Sequence, residues 1–330
     1  KLFLTYNQQM KKLRNDKHIA CQGSYHKKIL VRAGYFNIVN GYKTPFVSNV
    51  NAQGVHCYIS GTTINQLQAV KDFDNQLRLF LLKYITQIEE ETRTLTGYKF
   101  DACNENGAIP WYDTNAYSPN KSLQEKMSVI SKAYSELSQS RLDYVKFYMD
   151  NHKQIPTWIM IKVVNFSTFI DIINCSKIDV SHALCDLYGL TDDNGRPNVK
   201  LLIGSLHWMR KIRNSCAHNE RVYCITRRNN QHGRSGRILE KYFGMLRPGY
   251  RRNLNQSLFD LIVYCKYFLP KNEYKQFITE LKTMLSSLKA KIHPHAFEYV
   301  RGRMGILDIS DLDKLLSLPK DEIEYNKFDK

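Results

Sequence analysis

A chain of 330 residues with 43% hydrophobic content can bury one large core or two small ones, which excludes disorder along its whole length. Its 48 Lys and Arg outnumber 31 Asp and Glu, and the formal net charge of +17 predicts attraction to polyanions, nucleic acid first and acidic membrane surfaces second. No apolar run approaches the roughly 18 residues that span a bilayer, and the eight cysteines form no C-x-x-C pair, so we expect a cytoplasmic protein with no membrane segment, no metal and no cofactor.

The first 62 residues predict an N-terminal extension made of short helices and turns. Thr5 and Ser24 are placed to cap two helices, because a hydroxyl just before a helix can accept a backbone N–H. Gly34 and Gly41 punctuate tyrosine-rich turns, and residues 54–61 alternate in the manner of one short strand. The lysines and arginines of the extension either contact nucleic acid or form a solvated helix face.

The longest helix is predicted over residues 63–95, where apolar side chains recur at three- and four-residue steps. Two oppositely charged pairs stand at i,i+4 on it, Asp74 with Arg78 and Glu89 with Arg93. Because such positions are neighbours on the outside of a helix, we interpret both pairs as surface salt bridges.

Helical spacing continues over most of the remaining chain. A polar loop is predicted over 97–118, and the segment 158–174 is apolar on most sides, which places it at the centre of a bundle. Further helices are predicted over residues 122–148, 180–188, 254–267, 274–292 and 308–316. The sequence thus predicts an all-α protein, with residues 1–62 as the extension and 63–330 as one helical domain.

A basic insert interrupts the helical pattern at about residues 226–252. Eight Lys and Arg there stand against a single acid, Glu240. A loop with this charge either grips an RNA backbone or is a solvated loop in the free protein. Its candidate RNA contacts are Arg227, Arg228, Arg234, Arg237, Arg251 and Arg252.

The helix that precedes this insert carries polar side chains of unusual chemistry. We place the stretch from Arg210 to Arg221 on one helix together with the apolar segment before it, because the apolar spacing of 3.6 residues runs through both. The core face of that helix is predicted to comprise Leu202, Leu206, Met209, Ile212 and Cys216. A second stripe of the helix is predicted to carry His207, Arg210, Asn214, His218 and Arg221.

Arg213, Asn214 and His218 form the candidate catalytic set. An Arg fork can hold a phosphate and the charge that builds on it, and a His can take or give a proton near neutral pH. Asn214 can meet His218 at i,i+4. Such a set suits RNA cleavage, in which neither role needs a metal; the alternative is a solvated basic helix face. Arg210 and Arg221 flank the set as further candidate RNA contacts.

The spacing R-N-x-x-x-H in this helix resembles the signature of HEPN domains, all-α nucleotide-binding domains that include many ribonucleases. Short sequence motifs elsewhere in the chain are similar to those of the abortive-infection AbiD/AbiF family of bacterial phage-defence proteins, and they occur in the same order as in that family. These motifs are Leu4-Thr5-Tyr6, the segment from Gly34 to Phe46, Phe73 to Arg78 followed by Ile88-Glu89 and Thr92-Arg93, and Ile155 to Trp158, with a weaker match at Met304-Gly305-Ile306.

The resemblance implies a HEPN-like helical bundle and a mechanism for it. Two HEPN domains pair so that their R-N-x-x-x-H helices face each other, and because this chain has one such motif, a homodimer is expected. Arg213 then binds the scissile phosphate, His218 acts as general acid or base, and Asn214 orients one of them. RNA is cut without metal and a cyclic phosphate is left. Glu89 or Arg93 is expected to lean toward this site.

The resemblance also implies an RNA partner, because a resting nuclease must be restrained in its host. A small structured non-coding RNA, acting as antitoxin or guide, agrees with the net charge of +17. The alternative function is a non-catalytic RNA-binding HEPN protein that forms a ribonucleoprotein, since many HEPN domains bind RNA without cutting it. A scaffold for membrane or DNA is disfavoured, because the sequence has no amphipathic-helix or helix-turn-helix signal.

Overall fold

Helices account for most of the residues that the computed structural model describes, which are 3–152, 154–228 and 255–328. The α-helices are α1 (Tyr6–Lys17), α2 (Gly23–Ala33), α3 (Ile64–Ala102), α4 (Leu123–Ser138), α5 (Asp143–Asn151), α6 (Thr157–Val163), α7 (Phe166–Cys175), α8 (Ile178–Tyr188), α9 (Val199–Ala217), α10 (Leu258–Phe268), α11 (Lys271–Lys289), α12 (Pro294–Arg303) and α13 (Ser310–Ser317). A π-helix spans Phe36–Asn40, and short 3-10 turns span Thr44–Phe46, Glu105–Gly107, Thr114–Ala116 and Tyr325–Lys327. The predicted all-α class is confirmed.

Two short antiparallel pairs of strands complete the described structure. Strand β1 (Val47–Val50) pairs with β2 (His56–Tyr58), and β3 (Arg227–Arg228) pairs with β4 (Asn255–Gln256). The strand predicted within residues 54–61 is confirmed in β2. Its partner β1 was not predicted, because four residues that include Ser and Asn carry too little β propensity to stand out.

The 39-residue helix α3 is the element on which α2, α6, α8, α9 and α11 pack. It begins with a capping box, in which the Thr63 hydroxyl accepts from the Gln66 N–H while the Gln66 side chain accepts from the Thr63 N–H. It continues seven residues past the predicted end, because Gly97 is a packing position and not a stop: a Cβ there would lie 3.3 Å from Cγ2 of Ile161 on α6. Neither α3 nor any other described helix is both long and apolar enough to cross a membrane.

Two segments predicted as single helices are each divided in two. Residues 122–148 form α4 and α5, and residues 158–174 form α6 and α7. Asn165 makes the second division, because its side chain caps α7 by accepting from the Thr168 N–H at 3.0 Å. Glu136 of α4 fixes this turn by accepting from the Asn165 N–H at 2.6 Å. The predicted central place of the segment is confirmed in α7, whose apolar side chains are buried.

The N-terminal extension shares the hydrophobic core of the helices that follow it. Leu13, Leu30 and Phe46 are fully buried and belong to the same apolar cluster as the buried face of α3. Backbone bonds join the two parts directly, since the Ile64 N–H donates to the Ala20 carbonyl at 3.0 Å. The extension is therefore fixed against the first turn of α3.

Helix α12 is an element that the sequence analysis missed. Its start has His293 as N-cap and Pro294 in the first turn, and Pro is typical of the first turn of a helix. Its end leads to Gly305, which has a φ of +82° and lies against the start of α10.

Substitution of Gly305 by Ala is expected to lower the free energy of unfolding by roughly 2–5 kcal/mol, because the backbone is left-handed and a Cβ would meet packed atoms. That Cβ would lie 2.2 Å from Ser257 Oγ and 3.1 Å from Phe259 Cβ. The matched control is Gly302→Ala, which meets no atom within 4 Å on α12 and should stabilise by about 0.5–1 kcal/mol. Urea unfolding of both variants checks the prediction, and equal stability of the two would contradict it.

Candidate functional site

The predicted core face of α9 is confirmed, and its burial determines which side of the helix presents the motif. Its members are each at most 8% exposed, namely Leu202, Leu206, Met209, Ile212 and Cys216. This face packs among α3, α7, α8 and α10. On the other side, Arg213 and Asn214 are half-buried and His218 is exposed.

Helix α9, hereafter the motif helix, ends before the R-N-x-x-x-H motif (Arg213 to His218) is complete. Helix α9 stops one residue before His218, which is its C-cap, and Asn219 takes a left-handed φ of 58°. The chain then turns back, and the Glu220 N–H donates to the Ser215 carbonyl at 2.9 Å. The prediction that one helix continues to Arg221 is therefore wrong, because Asn is one of the few residues that end a helix in this conformation at little cost.

A buried carboxylate on α3 holds Arg213. The Nε of Arg213 lies 3.4 Å from Glu89 Oε2, and its Nη1 donates to Asn214 Oδ1 at 3.2 Å. Glu89 is 7% exposed and also accepts from Arg93 at 2.8 and 3.1 Å. One carboxylate thus positions two guanidinium groups, and the interpretation of Glu89 and Arg93 as a surface salt bridge is wrong. The Arg213 side chain keeps 34% of its surface exposed and can still reach a phosphate.

The His218 imidazole faces solvent at the end of α9. No group among the described residues is hydrogen-bonded to its ring. The predicted side-chain contact with Asn214 is absent from the described contacts, because the Asn214 amide oxygen accepts from Arg213 and only the backbone N–H of His218 bonds the Asn214 carbonyl, at 2.9 Å. An exposed imidazole can accept a proton at one nitrogen and donate one from the other.

The second charged pair of α3, Asp74 with Arg78, is also buried and anchors the loop after the motif. Asp74 is fully buried, and its Oδ1 accepts from the backbone N–H groups of Val222 at 3.1 Å and Tyr223 at 2.9 Å. Its Oδ2 accepts from the Tyr42 hydroxyl and from Arg78, both at 2.9 Å. Burial raises the pKa of Asp74, and the bonds from the Tyr223 amide and Tyr42 lower it in part. The surface interpretation of this pair is therefore also wrong.

Arg78 extends the same anchor to the residues that directly follow His218. Its Nη1 donates to the Glu220 carbonyl at 3.1 Å, and its Nη2 donates to Asn219 Oδ1 at 2.6 Å and to the Asn75 side chain. A buried Arg with several acceptors is strongly oriented, because each lost bond would leave a desolvated donor. Helix α3 thus fixes the position of the loop that follows α9.

A groove of about 490 Å³ opens beside Arg213. Arg93 and Lys162 line it with Arg213, and so does Trp158, whose side chain is 54% exposed. An exposed indole beside cations is a surface on which an unpaired base can stack. Glu89 and Glu90 also line the groove, so its lining carries charges of both signs.

The substitution Glu89→Gln is expected to lower the free energy of unfolding by roughly 2–4 kcal/mol, because breaking a buried ion pair leaves Arg93 uncompensated. Arg93 is 9% exposed, and its remaining described bond goes to the Ile161 carbonyl. The control is Glu90→Gln, an exposed neighbour on α3, which should change stability by less than about 0.5 kcal/mol. Denaturant titration compares the two, and an unchanged midpoint for Glu89→Gln would show that the carboxylate does not hold the arginines.

The flanking arginines of the motif helix have structural contacts of their own. The Nη1 of Arg210 donates to Ser167 Oγ of α7 at 2.9 Å. The Nη1 of Arg221, an exposed residue, donates to the Gly41 carbonyl of the extension at 2.7 Å. Arg221 therefore lies where the extension meets the loop after the motif, and Arg210 lies against α7.

The described residues on either side of the basic insert are bonded to α9. The Lys211 ammonium donates to the Thr226 carbonyl at 3.0 Å, and the Trp208 indole donates to the Ser257 carbonyl at 3.2 Å. Arg227 and Arg228 belong to β3, and nothing further is described of their side chains. The remaining predicted contacts lie outside the described residues, namely Arg234, Arg237, Arg251 and Arg252.

Cysteine and histidine side chains do not cluster in the described structure. No group of three or more His, Cys, Asp or Glu in the described ranges is arranged to hold a metal ion. The cysteines are free thiols, and burial raises the pKa of Cys216 on the motif helix to about 12. This thiol is therefore a core group and not a nucleophile.

Comparison with known proteins identifies a family for this architecture. A family model described as Abi-like protein matches residues 28–224, which include α3 and the whole motif helix. No curated protein and no solved structure matches the chain.

Proposed function

The chain belongs to the Abi-like family, which indicates abortive-infection phage defence, and we propose that it acts there as an RNA-binding, metal-independent endoribonuclease. The observation that carries the proposal is the solvent access of two different motif side chains at the end of one helix. Arg213 is oriented by the buried Glu89 and remains partly exposed, while His218, the C-cap of the same helix, has an exposed imidazole. A phosphate clamp beside a proton-transfer group is what cleavage of a phosphodiester requires.

The proposed reaction is attack of a ribose 2′-oxygen on the adjacent phosphorus. A base takes the 2′-OH proton, the new O2′–P bond forms, the P–O5′ bond breaks, and an acid protonates the leaving 5′-oxygen. The products are a 2′,3′-cyclic phosphate and a 5′-hydroxyl. Arg213 stabilises the charge that builds on the phosphate oxygens, and Asn214 orients Arg213, in agreement with their 3.2 Å bond.

Two proton transfers and one motif histidine per chain favour a homodimer. His218 of one copy then serves as base and His218 of a second copy as acid, with the two motif helices facing each other. The exposure of His218 at the end of α9 agrees with this arrangement, because a second copy can approach the ring without moving the core.

The proposed partner is a small structured non-coding RNA that restrains or guides the nuclease. The net charge of +17 supports a polyanionic partner, and the described residues that flank the basic insert, Thr226 and Ser257, are bonded to α9. A strand gripped by the insert would thus lie beside Arg213 and His218.

Purification of the protein from its native operon in moderate salt tests this proposal. The 260/280 nm absorbance ratio, the sequence of any bound RNA and the mass of the complex should reveal one discrete RNA with two protein chains. A complex that never cuts RNA would favour the non-catalytic ribonucleoprotein. An RNA-free monomer would contradict both the RNA partner and the composite site.

A further inference from the structure

A second cleft, of about 620 Å³, opens between the N-terminal extension and the loop that follows His218. The π-helix Phe36–Asn40 forms part of its lining, together with Arg32 of α2, Lys71 of α3 and Asn219 to Arg221 of the loop. Its volume lies within the range of about 300–1,000 Å³ that small-molecule ligands occupy. Since Asn219 follows His218 directly, the cleft begins next to the proposed catalytic centre.

The charge of this cleft favours an anion. Its lining holds four cations, Arg32, Lys71, Arg78 and Arg221, and one acid, Glu220. Arg78 is hydrogen-bonded to Asp74 and to Asn219 of the loop. Arg32 and Lys71, in contrast, have no ion pair or hydrogen bond with any residue that the structure describes. The acid is engaged as well, because Glu220 Oε2 accepts from the Ser215 hydroxyl at 2.6 Å. Arg221 donates to the Gly41 carbonyl at 2.7 Å, so Arg32 and Lys71 are the two cations of the lining without a described partner, and they can bind a phosphate.

The same cleft presents an aromatic ring to solvent. The Phe36 side chain is 74% exposed although it lines a polar, basic cavity. An exposed aromatic ring among cations is a platform on which an unpaired base can stack. The ring stands on a π-helix, a rare backbone form that is frequently found at functional sites. Asn37 and Asn40, both exposed, place two side-chain amides beside it.

We propose that this cleft binds one nucleotide of a single-stranded RNA: the base stacks on Phe36, Arg32 and Lys71 bind its phosphate, and Asn37 and Asn40 contact the base edge. The inference rests on the proposed RNA-binding function and gives the N-terminal extension a role in it. The extension thus binds a nucleotide that neighbours the cleavage position in the strand. This binding aligns the scissile phosphate with Arg213.

The test is the affinity of the full chain for a fluorescein-labelled, 12-nucleotide single-stranded RNA with 2′-O-methyl groups, which cannot be cleaved by its own 2′-oxygen. Fluorescence anisotropy should show that Phe36→Ala weakens binding about tenfold or more, since base stacking on an aromatic ring is worth that much. Phe36→Trp should keep the affinity within about threefold, because stacking is retained. The double substitution of Arg32 and Lys71 by Ala should reduce the slope of log affinity against log salt by about 0.7, because the two cations neutralise one phosphate of a single strand.

Matched controls stand outside the cleft. Tyr25→Ala removes another exposed ring of the extension, 66% exposed, and Lys275→Ala removes an exposed cation of α11. Both should leave affinity within about twofold, as expected of surface positions. If the wild type binds and cuts RNA while the Phe36, Arg32 and Lys71 variants bind like these controls, the cleft is not a nucleotide site and the proposed function stands.

Two other results would overturn the inference differently. Displacement of the RNA by micromolar AMP or UMP would identify a site for free nucleotides and not for a strand. Absence of any RNA binding by the wild type, at low salt, would remove the proposed function together with the cleft's role.

Discussion

Substitution of His218 by Ala is expected to abolish RNA cleavage, and with it toxicity in the cell, while RNA affinity stays within about threefold. Loss of a general acid or base slows catalysis by about 10²–10⁴-fold. Affinity is retained because Arg213 and the other cations, which bind phosphate, remain in place. The side chain is exposed and makes no described hydrogen bond, so the fold should not be disturbed.

Cleavage and anisotropy assays on the same preparations separate the two effects. His295→Ala removes another exposed histidine, on α12, and should cut RNA like the wild type. Parallel loss of binding and cleavage in His218→Ala would favour a protein that grips RNA without cutting it. Cleavage at the wild-type rate would remove His218 from the mechanism.

Substitution of Asp74 by Ala is expected to lower the free energy of unfolding by about 3–5 kcal/mol, the cost of removing one partner of a buried ion pair. The fully buried carboxylate accepts four bonds, from Arg78, Tyr42 and the amides of Val222 and Tyr223. Its loss would leave each of these donors without its buried acceptor. Because they hold the loop after His218, a fraction that still folds should also lose cleavage.

Asp72→Ala is the control for this prediction. Asp72 lies two residues away on α3, is exposed and contacts only the Gln68 side chain among the described residues. It should change stability by less than about 1 kcal/mol. Denaturant unfolding gives both values, and a small effect of Asp74→Ala would refute the anchoring role of the buried pair.

The course of the helices was predictable because the apolar spacing of α3, α9 and α11 is regular over many turns. Their ends were less so. Gly97 resembles a helix stop but lies inside α3, since the approach of Ile161 requires a residue without a side chain. Asn165 and Asn219 resemble ordinary polar positions but end or begin helices through bonds that depend on the local backbone. The spacing of apolar residues carries no information about these local contacts, so it does not predict where a helix begins or ends.

The candidate site, too, has features that the sequence predicted and features that it did not. Arg213, Asn214 and His218 were found because they stand close together in the sequence, and their catalytic role remains a proposal. The burial of Asp74 and Glu89 was missed, because the i,i+4 spacing with a basic residue is equally typical of an exposed helix face. Only contacts across more than 100 residues distinguish the two, such as that of Glu89 with Arg213.

The most direct test of the central claim is the chemistry of the ends that the wild-type protein leaves on RNA in excess EDTA. Total RNA from the host is incubated with the protein, and the new 3′ and 5′ ends are identified. We expect 2′,3′-cyclic phosphates and 5′-hydroxyls, because in the proposed mechanism His218 and Arg213 act on an attacking 2′-oxygen without a metal. Fragments that end in 3′-hydroxyl and begin with 5′-phosphate, or cleavage that stops with EDTA, would contradict the account.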